Sequence, residues 1–160
     1  MKKFVSILLL ITLCLVSCAE KTTNENYKTD VSVESLSSMI YEKTNDSSLT
    51  LADDGWVALN IPIELSLASE SDIYISTTGK ADLFGVFKAN SETDAEKLLE
   101  QSEDYLEKLE ANWMSEYLAE ELPKIQNAVC KKCGLYVTFL ILEDDARTAA
   151  ATEFENMLKQ

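Results

Sequence analysis

Between residues 93 and 121, Ala95, Leu98, Leu99, Leu106, Leu109, Trp113, Tyr117 and Leu118 recur at helical spacing and form one apolar stripe along an otherwise acidic segment. Such a stripe has to be buried, so it commits the chain to a long amphipathic helix lying against another element. Thr93-Asp94-Ala95-Glu96 supplies a capping-box pattern at its start, and Pro123 follows its end. Short β-type runs on either side supply the surface it packs on. Residues 72–77 and 83–89 read as strands joined by a polar loop containing Gly79, an order that suits a hairpin. Residues 125–130 and 135–142 read as two more strands around a tight turn, the second apolar enough to lie centrally in a sheet. Asp144 then caps a final helix with Ala146, Ala149, Ala150, Phe154, Met157 and Leu158 on one face.

The segments before residue 72 are less regular. Val33, Leu36, Met39 and Ile40 at helical spacing, with Ser32 as N-cap, predict a short amphipathic helix over 33–43, followed by polar loop over 44–54. In 57–67 the apolar residues Val57, Leu59, Ile61, Ile63, Leu65 and Leu67 alternate. Pro62 removes an amide donor from the middle of that run, which predicts an edge strand or an irregular extended segment. The order strand, strand, long helix, strand, strand, helix predicts a two-layer α+β domain. Its antiparallel sheet would have about four strands, with the long helix and the C-terminal helix packed on one face.

Met1-Lys2-Lys3 followed by the apolar run 4–16 has the layout of a secretory signal, and about 13 apolar residues are too few to span a bilayer core of roughly 30 Å. Leu15-Val16-Ser17-Cys18 is similar to the lipobox of bacterial lipoproteins, in which the cysteine thiol receives a diacylglyceryl group. The expected organisation is therefore a signal peptide over 1–17, a lipidated Cys18 with a flexible polar tether over 18–31, and one domain over 32–160. The bland alternative is an ordinary cleaved signal in which Cys18 is incidental. With 28 acidic and 14 basic residues the chain carries a formal charge of −14. Losing Lys2 and Lys3 with the signal makes it −16, so a lipid and not the protein surface would hold it to an anionic membrane. The place predicted is the extracytoplasmic face of the cell membrane.

The lipobox, the polar tether, Ala-Asp-Leu-Phe-Gly-Val-Phe-Lys at 81–88, the long acidic helix and Gly-Leu-Tyr-Val at 134–137 together resemble a family of small lipoproteins from Gram-positive bacteria that carry a domain of unknown function. The resemblance is clearest over 81–142. It implies fold and location, and no catalytic residue.

No histidine is present, which excludes serine–histidine and cysteine–histidine hydrolases and removes the commonest metal ligand. A single arginine, Arg147, and the negative charge argue against a nucleic-acid partner. No Gly-rich phosphate loop or nucleophile elbow occurs, so no cofactor or metal is called for. Cys130-Lys131-Lys132-Cys133 is the one constellation with a chemical signature. With Cys14 cleaved away and Cys18 lipidated, its two thiols are the ones left. They could be a structural disulfide, unpaired thiols, half of an uncompleted zinc site, or a thiol–disulfide exchange pair with lysines lowering a thiol pKa. A type I turn with Gly134 in the left-handed position would place Cys133 inside the turn. Glu96, Glu100, Glu103, Asp104, Glu107 and Glu110 along the long helix, with the pairs Glu120-Glu121 and Asp144-Asp145, read as solvated acids, with a cation-binding surface as the sharper alternative. Asp53-Asp54-Gly55 is only superficially like a calcium loop, since Ala52 and Ile61 stand where oxygen ligands are needed. Trp113, on the stripe, reads as core. Trp56, in a polar neighbourhood after Gly55, reads as an exposed contact.

The function these features predict is a non-catalytic binding or interaction module for a protein, peptide or small solute at the cell surface. Thiol–disulfide exchange through Cys130 and Cys133 is the alternative from another class. The anchoring expectation has a direct check: Cys18→Ser should move the protein from the membrane fraction to the soluble fraction, and unchanged membrane association would overturn it.

Overall fold

The computed structural model describes residues 26–114 and 118–160. Cys18, the signal segment, the first part of the tether and Tyr117 lie outside the described residues. Helix α1 (Val33–Thr44) begins at Ser32, whose hydroxyl accepts the amide of Ser35, and is followed by the short strand β1 (Leu49–Leu51). Helix α2 (Asp54–Asn60) leads through a single turn at Leu65–Leu67 into β2 (Ala68–Ser76) and β3 (Leu83–Ala89). Then come α3 (Glu92–Asn112), the short α4 (Leu122–Gln126), β4 (Val129–Cys133), β5 (Tyr136–Ile141) and α5 (Asp144–Leu158). The five strands form one antiparallel sheet in the order β1-β2-β3-β5-β4.

The fold is thus α+β with an antiparallel sheet, a long helix and a C-terminal helix, as the pattern predicts. It differs in that the helices divide between the two faces. Val137, Phe139 and Ile141 of β5 join Ala95, Leu98 and Tyr105 of α3 in one core, with Val57 of α2 and Ile125 of α4. Tyr136 and Leu140 point the other way, into a second core with Val33, Leu36 and Ile40 of α1 and Ala150, Phe154 and Leu158 of α5. Every residue of β5 is buried, because a strand covered on both faces has no solvated side and loses its alternation. The one-sided arrangement failed as an expectation because α1 and α5 pack against each other and need the second face between them.

Several boundaries move. Ser91, not Thr93, caps α3: its hydroxyl accepts the Asp94 amide, and the Asp94 carboxylate accepts its proton in return. The helix stops at Asn112, whose side-chain amide donates to the Lys108 carbonyl at 2.7 Å, and Trp113 leaves in an extended conformation. Pro123 opens α4, which takes Ile125 out of the predicted strand. Glu143 precedes α5, and Asp144 sits in its first turn paired with Arg147. The alternation over 57–67 comes from three different elements. Val57 is buried on α2, Leu59 on the same helix is 87% exposed, and Ile61 and Ile63 are buried in an unpaired extended stretch around exposed Pro62. Strand β1, inside the predicted loop, is three residues long and too short for a legible period. Residues 26–31, expected as part of a flexible tether, are bonded to the domain. From Asn26 the chain lies along the end of α5, where Tyr27 bridges Lys159, Lys28 N–H donates to Leu158 O at 2.8 Å, and Tyr136 Oη donates to Val31 O at 2.6 Å.

Gly85 of β3 faces Phe139 of β5 across the ladder, and a Cβ at Gly85 would lie 2.4 Å from the Phe139 ring. The ring fills the space the missing side chain leaves. Gly85→Ala should therefore destabilise the domain by about 1–3 kcal/mol through overpacking, read as a lowered urea midpoint; an unchanged midpoint would show that the ring is free to move aside.

Candidate functional site

The β2–β3 turn, the end of α2 and the C-terminal end of α3 meet at one end of the sheet and enclose a cleft of about 350 Å³. Asp53 builds one wall. Its carboxylate accepts the Trp56 amide at 2.9 Å, starting α2 and setting Trp56 on the side of the helix that meets the turn. The departure of Trp113 from α3 builds the opposite wall. Its indole N–H reaches the carbonyl of Leu118, at 3.4 Å, and Leu118 holds the left-handed conformation that turns this carbonyl back. Tyr105, about two turns deeper on α3, forms the floor with its ring edge-on to Phe139 at 5.7 Å. Asn60, Lys80 and Asp82 supply polar groups at the rim, and Ile75, Leu83 and Leu109 complete the apolar lining.

Both tryptophans of the chain therefore line one recess, each half-buried. Trp56, expected as an exposed contact, and Trp113, expected as core, share the same position between core and solvent. Tyr105 is 9% exposed, and burial pushes its hydroxyl up to about 12, so it is a neutral donor at ordinary pH. That hydroxyl bonds to no described residue, and among the described residues no fully enclosed side-chain polar atom lacks a partner, so the hydroxyl, on a residue that lines the cleft, is not fully enclosed. A signal for Tyr105 lies in its place seven residues after Leu98 on the same stripe, which the aliphatic spacing hides.

Behind the turn lies a charge cluster with no signature in the sequence. The Lys124 ammonium, 6% exposed as a residue, lies 2.7 Å from Asp82, 3.0 Å from Glu121 and 2.9 Å from Glu143. Burial alone would lower the Lys124 pKa, but the hydrogen bonds to Asp82, Glu143 and Glu121 outweigh it and hold the ammonium well above its usual range. Burial alone would likewise raise Glu121; the Ala81 amide, at 2.8 Å, and Lys124 overcome that and hold the carboxyl below its usual range. Glu121, expected among the solvated acids, is thus buried and paired. A second, more polar recess of about 310 Å³ lies on the far side of this cluster and shares Lys80 and Asp82 with the first. Lys80 extends there to 4.0 Å from Asp46, whose carboxyl the Ser48 amide holds below the usual range.

The remaining sequence candidates are not brought to a site. Cys130 and Cys133 lie on one strand three positions apart, so they face opposite sides of the sheet: Cys130 packs on the α3 core and Cys133 lies in the α1–α5 core. The disulfide or redox pairing expected of them needs both on one side. Lys131 and Lys132 are strand residues bound to Glu155 and Glu92, and the hairpin turns instead at Gly134-Leu135, with Gly134 at φ +58° as the first loop residue. Burial, with Glu103 adding to it, pushes the Cys130 thiol up to about 12, far from a nucleophilic thiolate. Glu96, Glu100, Glu103, Asp104, Glu107 and Glu110 are all exposed along α3, and no metal-holding group of three or more acids or cysteines occurs among the described residues. Asp53 is a helix cap. Among the described residues no helix is long and apolar enough to cross a membrane.

Fold and site together define a small α+β domain with an aromatic recess and no assembled catalytic group among the described residues. A family model described as a domain of unknown function (DUF4358) matches residues 61–142, half of the chain, and the chain belongs to that family. The matched stretch contains Lys80, Asp82, Tyr105, Trp113, Glu121 and Lys124, while Trp56 precedes it. No curated protein and no solved structure matches the chain.

Lys124→Met should cost about 3–5 kcal/mol of stability near neutral pH, because Asp82 and Glu121 stay buried without their cation. The folded-state pKa of Glu121 is lowered from 4.5, so its stabilisation of the native protein is present above that value and is lost as pH falls through the folded pKa. The deficit of the variant should accordingly shrink in acid. Urea denaturation of both proteins near neutrality and in acid measures this, and a deficit that is the same at both would rule out the charge cluster as its source.

Proposed function

We propose that this protein is a lipid-anchored extracytoplasmic binding module, non-catalytic, whose ligand enters the cleft between Trp56, Tyr105 and Trp113. The observation that carries the reading is the set of aromatic surfaces left open there. The three rings line one recess without stacking on one another, and a nearly buried hydroxyl among them has no hydrogen-bond partner among the described residues. Aromatic walls with a few convergent polar groups are the usual construction of a small-molecule or peptide site.

The direction of the chain supports the anchored part of the reading. Tyr136 of β5 lies by Val31, whereas Ile141 at the other end of the same strand pairs with Leu83 beside the cleft. Asn26 therefore enters at the end of the sheet opposite the cleft. Asn26 lies eight positions after Cys18, a reach of at most about 29 Å fully extended. An anchor at Cys18 would hold the entry end toward the bilayer and turn the cleft outward, toward soluble or wall-bound ligands.

A thermal-shift panel on the full chain, with amino acids, short peptides and cell-wall fragments, tests the binding reading. A ligand at about a hundred times its dissociation constant adds roughly 2.7 kcal/mol, a shift of several degrees. One class should stabilise the protein, and Trp56→Ala should reduce the shift. A shift equal in wild type and variant would take the site away from this cleft.

A further inference from the structure

The charge and the hydrogen-bonding groups of the cleft restrict what fits it. Its charged lining groups are Lys80 and Asp82, one of each sign, and Asp82 is already held by Lys124. An organic cation would find three aromatic faces but no unpaired carboxylate, and Lys80 would oppose it. An anion would find one lysine in a chain of formal charge −14. A wholly apolar ligand would cover the Tyr105 hydroxyl without offering it an acceptor, leaving a buried donor unpaired. An extended peptide would gain no main-chain partner here. Ile75, Ser76 and Leu83, the strand residues of the lining, are already paired: Ile75 and Ser76 with β1, Ile75 with Leu83, and Leu83 with Ile141 of β5.

What remains is a neutral molecule with a flat, C–H-bearing face and oxygen atoms around its edge. We infer that the cleft is a saccharide site, in which one face of a pyranose ring stacks on the Trp56 or Trp113 indole and a ring hydroxyl accepts the proton of Tyr105 Oη. The negative π faces of the indoles attract the polarised C–H bonds of the sugar. The side-chain carbonyl of Asn60 and the Lys80 ammonium are placed at the rim to accept from and donate to the outer hydroxyls. At about 350 Å³ the recess is at the small end of ligand pockets, roughly 300–1,000 Å³, which suits one or two sugar rings. This inference rests on the binding reading above and names its ligand class.

Tryptophan emission tests it, since both tryptophans of the chain line the cleft. The full chain, in a polyoxyethylene detergent that carries no sugar, is titrated with glucose, N-acetylglucosamine and their β-linked dimers and trimers. Phenyltrimethylammonium and a neutral aromatic tripeptide serve as the other ligand classes. At least one saccharide should give a saturable change. Tyr105→Phe should weaken it about three- to tenfold, the worth of one hydrogen bond, with the unliganded melting temperature monitored, and Trp56→Ala should weaken it further. Saturation with the ammonium or the tripeptide and none with the sugars would overturn the saccharide assignment and leave a binding cleft. Silence from every probe would overturn both. A saccharide affinity unchanged in Tyr105→Phe and Trp56→Ala would place the sugar elsewhere.

Discussion

One buried ammonium holds together the end of the molecule where the cleft lies. Lys124 belongs to the short helix after α3, Asp82 to the β2–β3 turn, and Glu143 to the junction of β5 with α5. Three connections distant in sequence thus converge on one charge. Glu121 joins them and uses a carboxylate oxygen to hold the Ala81 amide of the same turn. Desolvating these ions is costly, and an apolar cluster of equal volume would often be as stable. The ions differ from an apolar cluster in directionality: each hydrogen bond fixes one atom of one connection. The turn held in this way is at once the rim of the aromatic cleft and the partition between it and the polar recess.

The apolar side of the cleft has a different origin, in the packing of the sheet. Gly85 leaves room for the Phe139 ring to lie over β3, and the edge of Tyr105 rests on that ring. Phe87 closes in on Phe139 from the other direction, with centroids 6.1 Å apart. Tyr105 is therefore carried by a close-packed stack, not by a surface loop, and its hydroxyl is presented by the core itself. A side chain immobilised in this way gives up little further entropy when it binds a ligand.

Legibility in the sequence followed the length of each periodic pattern. The stripe of α3, the strand pair 72–77 and 83–89, and the final helix were readable because each repeats its period several times. The alternation of 57–67 misled because period two is also what a helix, an extended link and a single turn produce when their buried residues happen to fall in step. The distribution of helices over two faces was written in β5, where burial of every side chain requires cover on both sides, but the same apolar run also suits a central strand of a one-sided sheet. Pairs such as Asp82 with Lys124 are 42 residues apart and carry no pattern at all. The cleft was half legible: Trp56 stood out through its polar neighbours, while Trp113 and Tyr105 looked like core because they continue a helical stripe.

The Cys-Lys-Lys-Cys motif shows how the meaning of a spacing depends on the element that carries it. On a helix or around a tight turn, positions three apart approach each other; on a strand they point to opposite faces. Gly134 decides which applies here. Its φ of +58° lets the hairpin turn after Cys133, so that Cys133 pairs with Tyr136 and both lysines stay in the ladder. A side chain at Gly134 would also press on Tyr27, with 3.0 Å to its Cβ, so the same glycine gives the incoming N-terminal segment its seat. That seat and the cleft lie at opposite ends of β5, which gives the domain a direction: the chain enters at one end and the open aromatic surface stands at the other.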